Sequence, residues 1–335
     1  MNSKKIFTLK EYIKKEIQSL LKEDEDSVLI TRRTPEERKK NYIIATQKKI
    51  QQYIKDGAKG DLLLPNLPFD IKLPDNLTIN GDLVLRSSKI TRLPDNLTVN
   101  GNLNLSHAGI EVLPNKLTVE EDLDLTGTPI QSLTDDLTVN GRLYLRDTSI
   151  NSLPNISTSK SLDLAGTNIQ SLPDNLELEF LELSDTPIKS LPNGLKVLQL
   201  YLGNTKIQSL PSDLKVYDVL DIHDTPIKSL PNGLKLSMLR VDGTKIQSLP
   251  NDLEVTQTLY AMDTLIQSLP PKIGKFKNGP GNSTLKLSGS DIKILPDNLQ
   301  VYYLYIDNTP LSKQLFKQYT VDEIRAMFPG VKYIR

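Results

Sequence analysis

The chain has 335 residues, with 41 basic and 41 acidic side chains and no cysteine. The zero net charge gives no global electrostatic argument for nucleic acid or a membrane surface as a partner, so we expect neither. The absence of cysteine excludes disulfides, cysteine-type zinc fingers and thiol nucleophiles. Residues 1–15 are too charged for the apolar part of a signal peptide, and no stretch approaches transmembrane length, so we expect no membrane span.

Residues 1–59 are predicted to form a helical hairpin. The sequence from Thr8 to Glu11 is a capping box that opens a first helix, which the acidic run Glu23–Asp26 ends. The sequence from Thr34 to Glu37 is a second capping box, and Gly57 is a natural C-cap for the helix that follows it. The hairpin is expected to cap the repeats that follow, because a terminal repeat exposes apolar surface. The alternative is a separate targeting or docking role.

One phrase then recurs every 19 or 20 residues, apart from a single 26-residue copy. A representative copy reads Leu93-Pro-Asp-Asn-Leu-Thr-Val-Asn-Gly-Asn-Leu103-Asn-Leu105. Twelve copies start at Leu73, Leu93, Leu113, Leu133, Leu153, Leu172, Leu191, Leu210, Leu230, Leu249, Leu269 and Leu295. A fixed period this short predicts a solenoid, in which each coil buries its apolar side against its neighbours. Residues 60–72 resemble half a copy, so the solenoid is predicted over residues 60–311.

Each Leu-x-Leu pair is predicted to be a short strand, with both leucines in the core and the residue between them exposed. Strands from successive coils would stack into one parallel sheet on the concave side. The Leu-Pro-Asp-Asn-Leu segment returns the chain, and its proline prevents a regular helix. The convex side is therefore predicted to be extended or in tight turns.

A column of hydroxyl residues follows the strands. Its members are Ser88, Thr128, Thr148, Thr167, Thr186, Thr205, Thr225, Thr244, Thr264, Ser290 and Thr309, and Ala108 interrupts it. Buried hydroxyls at equivalent positions would hydrogen-bond the backbone of each turn, so we predict a structural ladder rather than a row of nucleophiles.

These residues resemble the leucine-rich repeat family. The hydroxyl column stands where the usual leucine-rich repeat has asparagine. The short period and the frequent Leu-Pro are most similar to bacterial leucine-rich repeats, such as those of secreted enterobacterial effectors, and similar runs occur in large bacteriophages. The resemblance covers roughly residues 60–319. Some of those effectors carry a ubiquitin-ligase domain with a cysteine nucleophile, an activity that this cysteine-free chain is not expected to share.

A second cap is predicted at the C-terminus, over residues 312–335. The sequence from Thr320 to Glu323 is a third capping box, opening a short helix that Pro329 and Gly330 stop. The complete expectation is an α/β repeat solenoid of the leucine-rich repeat type. It has a parallel concave sheet, an extended convex side, an N-terminal helical hairpin cap and a short C-terminal helical cap.

The exposed face of the sheet is the candidate partner-binding site. Its candidate residues are Arg142, Tyr144, Arg146, Asp163, Glu182, Tyr201, Asp221, Arg240, Tyr260, Tyr303 and Tyr305. Adjacent acidic residues, Asp163 and Glu182, would repel each other in a sheet unless a basic partner relieved them. Tyrosine and arginine are favoured at interface hot spots. The alternative is that exposed strand positions simply accept tyrosine as a good strand former.

The long copy supplies a second candidate site. Residues 270–281 add six or seven residues rich in glycine and proline, and Lys275, Phe276 and Lys277 lie within them. Insertions in solenoids often map to the binding face, although a neutral bulge is the alternative. Asp221 and His223 could be half of a metal site, but we expect them to be a solvated pair that binds no metal. No phosphate loop, zinc motif or nucleophile elbow occurs, so we expect no cofactor, no metal and no enzymatic activity.

The sequence therefore favours a non-enzymatic scaffold of bacterial or phage origin that grips a protein on its concave sheet, as an effector or inhibitor. The alternative is a structural or adhesive component, of the virion type, that docks through its N-terminal helices. The sequence does not identify the compartment, and its lack of cysteine fits the cytoplasm or the host cytoplasm after secretion or phage infection. The sequence leaves the oligomeric state open.

Overall fold

The computed structural model describes residues 34–154, 159–273, 283–296, 299–328 and 330–335, and the chain divides into two compact units, Met1–Lys55 and Asp56–Arg335. The first unit contains helix α1 (Pro35–Lys55). Its capping box is confirmed, since Glu37 N donates to Thr34 Oγ1 at 3.2 Å and Thr34 N donates to Glu37 Oε2 at 2.8 Å. The predicted first helix of the hairpin lies outside the described residues.

The second unit is a solenoid of short parallel strands. In chain order, its described residues form β1 (Leu62–Leu63), β2 (Thr78–Ile79), β3 (Leu83–Val84), β4 (Thr98–Val99), β5 (Leu103–Asn104), β6 (Thr118–Val119), β7 (Leu123–Asp124), β8 (Thr138–Val139), β9 (Arg142–Tyr144), β10 (Ser161–Asp163), β11 (Glu177–Glu182), β12 (Lys196–Tyr201), β13 (Lys215–Asp221), β14 (Lys235–Arg240), β15 (Glu254–Tyr260), β16 (Thr284–Lys286), β17 (Tyr303–Tyr305) and β18 (Tyr333–Ile334). Helices α2 (Pro310–Gln318) and α3 (Val321–Met327) precede β18.

The Leu-x-Leu pairs build one long sheet, as predicted. Across the described part of the chain, fourteen strands follow the order β1-β3-β5-β7-β9 and then β10 to β18, and all pair in parallel. Leucines at equivalent positions face each other, as Leu143, Leu162 and Leu181 do. The half copy before the first full repeat supplies β1. Leu83, Leu143 and Leu181 are fully buried, so the core is a continuous stack of leucines.

Coils of 20 residues accommodate their one additional residue, relative to coils of 19, in two different ways. In the first four coils an Asn-Gly pair or its equivalent separates two short strands, and β2, β4, β6 and β8 form a second parallel sheet. In β11 to β15 the two strands merge into one strand of six or seven residues. The 20-residue coils then carry a bulge, since β13 and β15 have seven residues and their pairing shifts register beside Val197 and Leu236.

The side opposite the long sheet is free of α-helix in the described residues between Leu73 and Thr309, as predicted. The second sheet on the early coils was not predicted. Its strands begin at the Thr-Val or Thr-Ile pairs of the Asn-Leu-Thr-Val-Asn-Gly phrase, which are good strand formers. In the residues that the structure describes, no helix is both long enough and apolar enough to span a bilayer.

The hydroxyl column is confirmed as a ladder of buried turn residues. Ten of its members donate from the side-chain oxygen to the carbonyl three residues earlier, at 2.6–2.9 Å, as Thr205 does to Leu202. The residue before each hydroxyl adopts a positive φ, as in Gly127 (φ 65°) and Asn204 (φ 59°). Glycine, asparagine and aspartate tolerate that conformation best, which explains why they dominate this position.

A matched pair of serines tests the ladder. Ser290 Oγ donates to the Leu287 carbonyl at 2.6 Å, whereas the buried Ser88 Oγ has no hydrogen-bond partner among the described residues. Ser290→Ala should lower the free energy of unfolding by about 1 kcal/mol. Ser88→Ala should be neutral or slightly stabilising, because it removes an unsatisfied buried hydroxyl. Urea denaturation checks both, and equal effects would show that the hydroxyl contributes volume rather than a bond.

The C-terminal end is more elaborate than predicted. The capping box at Thr320 is confirmed, since its Oγ1 accepts from Glu323 N at 3.3 Å. An additional helix, α2, has Thr309 as its N-cap, and the Thr309 side chain donates to the Ile306 carbonyl and accepts from Ser312 N. The last hydroxyl of the ladder is therefore also a helix cap. After α3 the chain returns as β18 and pairs with β17, which closes the described sheet with one further strand.

Candidate functional site

The residue between the two apolar residues of each Leu-x-Leu pair, or of its equivalent, is called the strand-centre residue. These residues form one continuous column on the exposed face of the long sheet, and this face is called the sheet face. The register pairs its members in the order Tyr144, Asp163, Glu182, Tyr201, Asp221, Arg240, Tyr260, Lys286 and Tyr305. Arg142 and Tyr303 open strands β9 and β17 beside this column, and Arg146 follows β9. The structure thus places the eleven candidate residues of the sheet on one surface. Lys275, Phe276 and Lys277 lie outside the described residues.

One of the two neighbouring carboxylates on the sheet face has a cation of the protein beside it, which the sequence did not suggest. Asp163 and Glu182 are register neighbours, as expected. However, Arg146 contacts Asp163 Oδ2 with both Nε (3.2 Å) and Nη2 (3.1 Å), so that carboxylate has an internal cation. Glu182 forms no ion pair with a described residue. Burial raises the pKa of its carboxyl and the Asp163 charge adds to this, although the Ser184 hydrogen bonds and Arg146 act in the opposite direction.

The raised pKa of Glu182 predicts a pH-dependent effect of Glu182→Gln. A carboxyl with a raised folded-state pKa binds its proton more tightly in the folded protein, so stability falls as pH rises from the unfolded-state pKa through the folded-state pKa. At pH 7 the charged Glu182 carboxylate carries the full free-energy cost of its buried environment. Glu182→Gln removes this cost and should therefore raise the free energy of unfolding. The gain should vanish below the unfolded-state pKa of about 4.3.

Chemical denaturation at pH 7 and below pH 4 checks this difference. Glu177→Gln is the control on the same strand, because the Lys196 hydrogen bond lowers the pKa of Glu177 and the substitution removes a favourable contact. A gain for Glu182→Gln that persists unchanged below pH 4 would contradict the electrostatic explanation.

Asp221 and His223 are not the solvated pair that the sequence suggests. Asp221 is 8% exposed, His223 Nδ1 lies 2.6 Å from its Oδ1, and Arg240 Nη1 lies 3.5 Å from its Oδ2. Arg240 Nε also donates to Asp242 Oδ2 at 2.8 Å, and Asp242 Oδ1 accepts from Met262 N at 2.7 Å. Two predicted partner-binding residues, Asp221 and Arg240, are therefore engaged in an internal network.

Most strand-centre side chains that carry a carboxylate or an amide also form a hydrogen bond with the backbone of the turn that follows. The side-chain oxygens of Asn104, Asp124, Asp163, Glu182 and Asp221 each accept from the backbone N–H two residues later, at 2.8–3.2 Å. Aspartate and asparagine are suited to this local contact. Sequence reasoning treated three of these side chains, those of Asp163, Glu182 and Asp221, as free for a partner. Their position two residues before a turn was the available signal.

An aromatic pair lies beside the acidic residues. The rings of Phe180 and Tyr201 are 5.4 Å apart, and Tyr201 follows Glu182 in the column. Burial raises the pKa of Tyr201, and the negative charges of Glu182, Asp221 and Asp218 contribute. Tyr201 therefore lies in a negative potential. Phe180 was not among the predicted residues.

The C-terminal strands carry an aromatic cluster with a lysine in it. Lys286 Nζ lies 5.0 Å from the centre of the Tyr260 ring and 5.5 Å from that of Tyr305, which is cation–π geometry on both sides. Tyr303 stacks on Tyr305 and on Tyr333, with centroids 6.4 and 5.1 Å apart. Sequence reasoning missed Tyr333, because it lies thirty residues after its register partner Tyr303 and so does not follow the 19- or 20-residue period of the repeats.

The side chains of Arg142 and Tyr144 interact near the start of the sheet face. A hydrogen bond between their side chains raises the pKa of the Arg142 guanidinium, and the Asp122 and Glu179 charges add to this. Across the described ranges, no three His, Cys, Asp or Glu side chains converge to hold a metal ion. The arrangement offers aromatic surface, carboxylates and cations on a regular sheet, which suits binding.

Comparison with solved structures decides the fold. A structure of YopM, a leucine-rich effector protein from Yersinia pestis, matches with probability 1.00 and a TM-score of 0.52, at 17% identity over 77% of each chain. The fold is that of a leucine-rich repeat protein. YopM from Yersinia enterocolitica WA-314 matches over 82% of this chain and 77% of its own at 18% identity, with a TM-score of 0.35 that adds nothing to the assignment. The predicted leucine-rich repeat resemblance is thereby confirmed for the fold.

At the level of sequence, neither a protein-family model nor a curated protein matches this chain. The leucine-rich repeat assignment therefore rests on the stacked parallel strands and on the structural likeness.

Proposed function

We propose that the chain is a non-enzymatic scaffold that holds a protein partner on its sheet face. The observation that carries this is the continuous column of half-buried tyrosines, carboxylates and basic residues over nine successive strands. Such side chains lose little entropy on binding, because the sheet fixes their backbone and their neighbours restrict their rotamers. A solenoid presents them as an extended surface, the usual binding surface of repeat proteins.

An effector or inhibitor of bacterial or phage origin fits this proposal. The Yersinia pestis neighbour is described as an effector, which supports the same class for this chain. Residues 1–59 would then be a cap, and residues 312–335 a second cap, on either end of the binding solenoid. A structural component that docks through residues 1–55 is the competing outcome of the experiment below.

Tyr144 and Tyr201 test the sheet face. The intact chain is used to capture proteins from a cell extract, and the affinity of the partner so identified is then measured by calorimetry. Each alanine substitution should weaken binding by about 2 kcal/mol, as expected of buried aromatic anchors. Neither side chain is in the leucine core, so the urea midpoint should barely change.

The matched control replaces two tyrosines off the column. Tyr217 and Tyr319 are 59% and 40% exposed, and their alanine variants should retain full affinity. Deletion of residues 1–55 should also leave binding intact. Full binding by the Tyr144 and Tyr201 variants, together with loss upon the deletion, would reject the sheet-face proposal in favour of docking through the N-terminal helices.

A further inference from the structure

The charges of the sheet face are paired unevenly. Arg146 pairs with Asp163, and Arg240 contacts both Asp221 and Asp242 at the ends of strands β13 and β14. Each of these three carboxylates therefore already lies beside a cation of the protein. A partner gains little from them, because it would have to displace a contact of similar chemistry.

Three strand-centre charges have no ion-pair partner among the described residues, and they differ in sign along the sheet. Asp124 and Glu182 leave negative charge on the earlier strands. Tyr201 is the register neighbour of Glu182, and the Glu182 charge adds to the effect of burial in raising the pKa of Tyr201. A cationic side chain placed over the Tyr201 ring would gain both a cation–π contact and a carboxylate.

The positive end is Lys286. Its ammonium group is held between the rings of Tyr260 and Tyr305, and no described carboxylate lies within ion-pair distance of it. The rings orient the cation without neutralising it. An anionic group of a partner could therefore pair with Lys286 at little additional entropic cost.

We infer that the partner of the sheet face is a protein segment with a positive and a negative end. A lysine or arginine of this segment lies against Glu182 and Tyr201, and a carboxylate lies against Lys286. This inference rests on the proposed function and adds a direction to it. Lys286 lies five strands beyond Glu182 in the register, which is about 24 Å at the usual strand spacing. An extended segment spans that distance with about seven residues. A uniformly anionic polymer or surface would be repelled at the Glu182 end.

A synthetic peptide tests the direction. It carries two arginines at one end, two glutamates at the other, a spacer of about seven glycine and serine residues, and a photo-crosslinker beside the arginines. Fluorescence anisotropy at low salt measures its affinity for the full chain, and mass spectrometry maps the cross-links. We expect cross-links on strands β11 and β12, and roughly tenfold weaker binding of a peptide with the same composition in shuffled order.

A charge exchange supplies the decisive variant. Glu182→Lys combined with Lys286→Glu keeps the net charge but reverses the polarity, so the cross-links should move to β16 and β17. The control exchange, Glu177→Lys with Lys196→Glu, reverses an exposed ion pair off the column and should leave the cross-links on β11 and β12. Circular dichroism verifies that both variants are folded.

The inference is overturned if neither peptide binds measurably, if the shuffled peptide binds equally well, or if the exchange leaves the cross-links in place. Its failure is distinguishable from failure of the proposed function. If captured protein still requires Tyr144 and Tyr201 while the peptide cross-links show no polarity, the scaffold proposal stands and the charge direction is wrong. If those tyrosines are dispensable for capture, the scaffold proposal itself is wrong.

Discussion

Leu220→Ala is expected to lower the free energy of unfolding by about 3 kcal/mol, within the usual range for a buried leucine. Leu220 is the penultimate residue of β13, is fully buried, and is paired with Leu200 and Leu239 in the register. The cavity would open at the centre of the leucine stack, where neighbouring coils on both sides hold it rigid. Because a solenoid is stabilised by contacts between adjacent coils, the defect weakens two interfaces at once.

Urea denaturation followed by circular dichroism measures this loss. Leu198→Ala is the control, since Leu198 lies on the adjacent strand β12 but is 42% exposed, and its replacement should cost less than about 0.5 kcal/mol. A separate early transition in the Leu220→Ala variant would be further support, because a weakened interface can uncouple the two halves of a repeat array. Equal costs for the two variants would contradict the leucine-stack explanation.

The fold was predictable because its determinants are local and repeated. A Leu-x-Leu pair, a Leu-Pro return and a hydroxyl recur at fixed spacing, so the pattern read from one copy holds for every coil. The departures arise where the copies differ. An additional residue becomes an Asn-Gly break in the early coils and a bulge in β13 and β15, and nothing in the period itself distinguishes the two.

The column of candidate residues was predictable, but the availability of its side chains was not. The period places Asp163 and Glu182 side by side, and they are register neighbours. Whether each charge is free depends on long side chains from neighbouring coils, such as Arg146, whose direction a one-dimensional pattern does not specify. The same holds for Asp221 and Arg240, because Arg240 contacts the carboxylates of both Asp221 and Asp242.

Asp242→Ala is expected to cost about 3 kcal/mol of stability, although Asp242 lies on the sheet face beside candidate binding residues. Asp242 is 7% exposed, and it accepts from Met262 N at 2.7 Å and from Arg240 Nε at 2.8 Å. Alanine would leave the partly buried Met262 N–H without its acceptor and the half-buried Arg240 guanidinium without its closest carboxylate, and both losses are destabilising. Asp242→Asn retains an acceptor for Met262 N, so it should cost clearly less.

Asp307 provides the matched control for Asp242, because it occupies the same place two residues after a strand centre. It is more exposed, with Arg335 Nε at 3.5 Å, and Asp307→Ala should change stability by no more than about 0.5 kcal/mol. Thermal and urea unfolding of the three variants check the order. If Asp242→Ala were as mild as Asp307→Ala, the network of Asp221, Arg240 and Asp242 would be free to reorganise around a partner. The sheet face would then offer those charges for binding as well as Glu182 and Lys286.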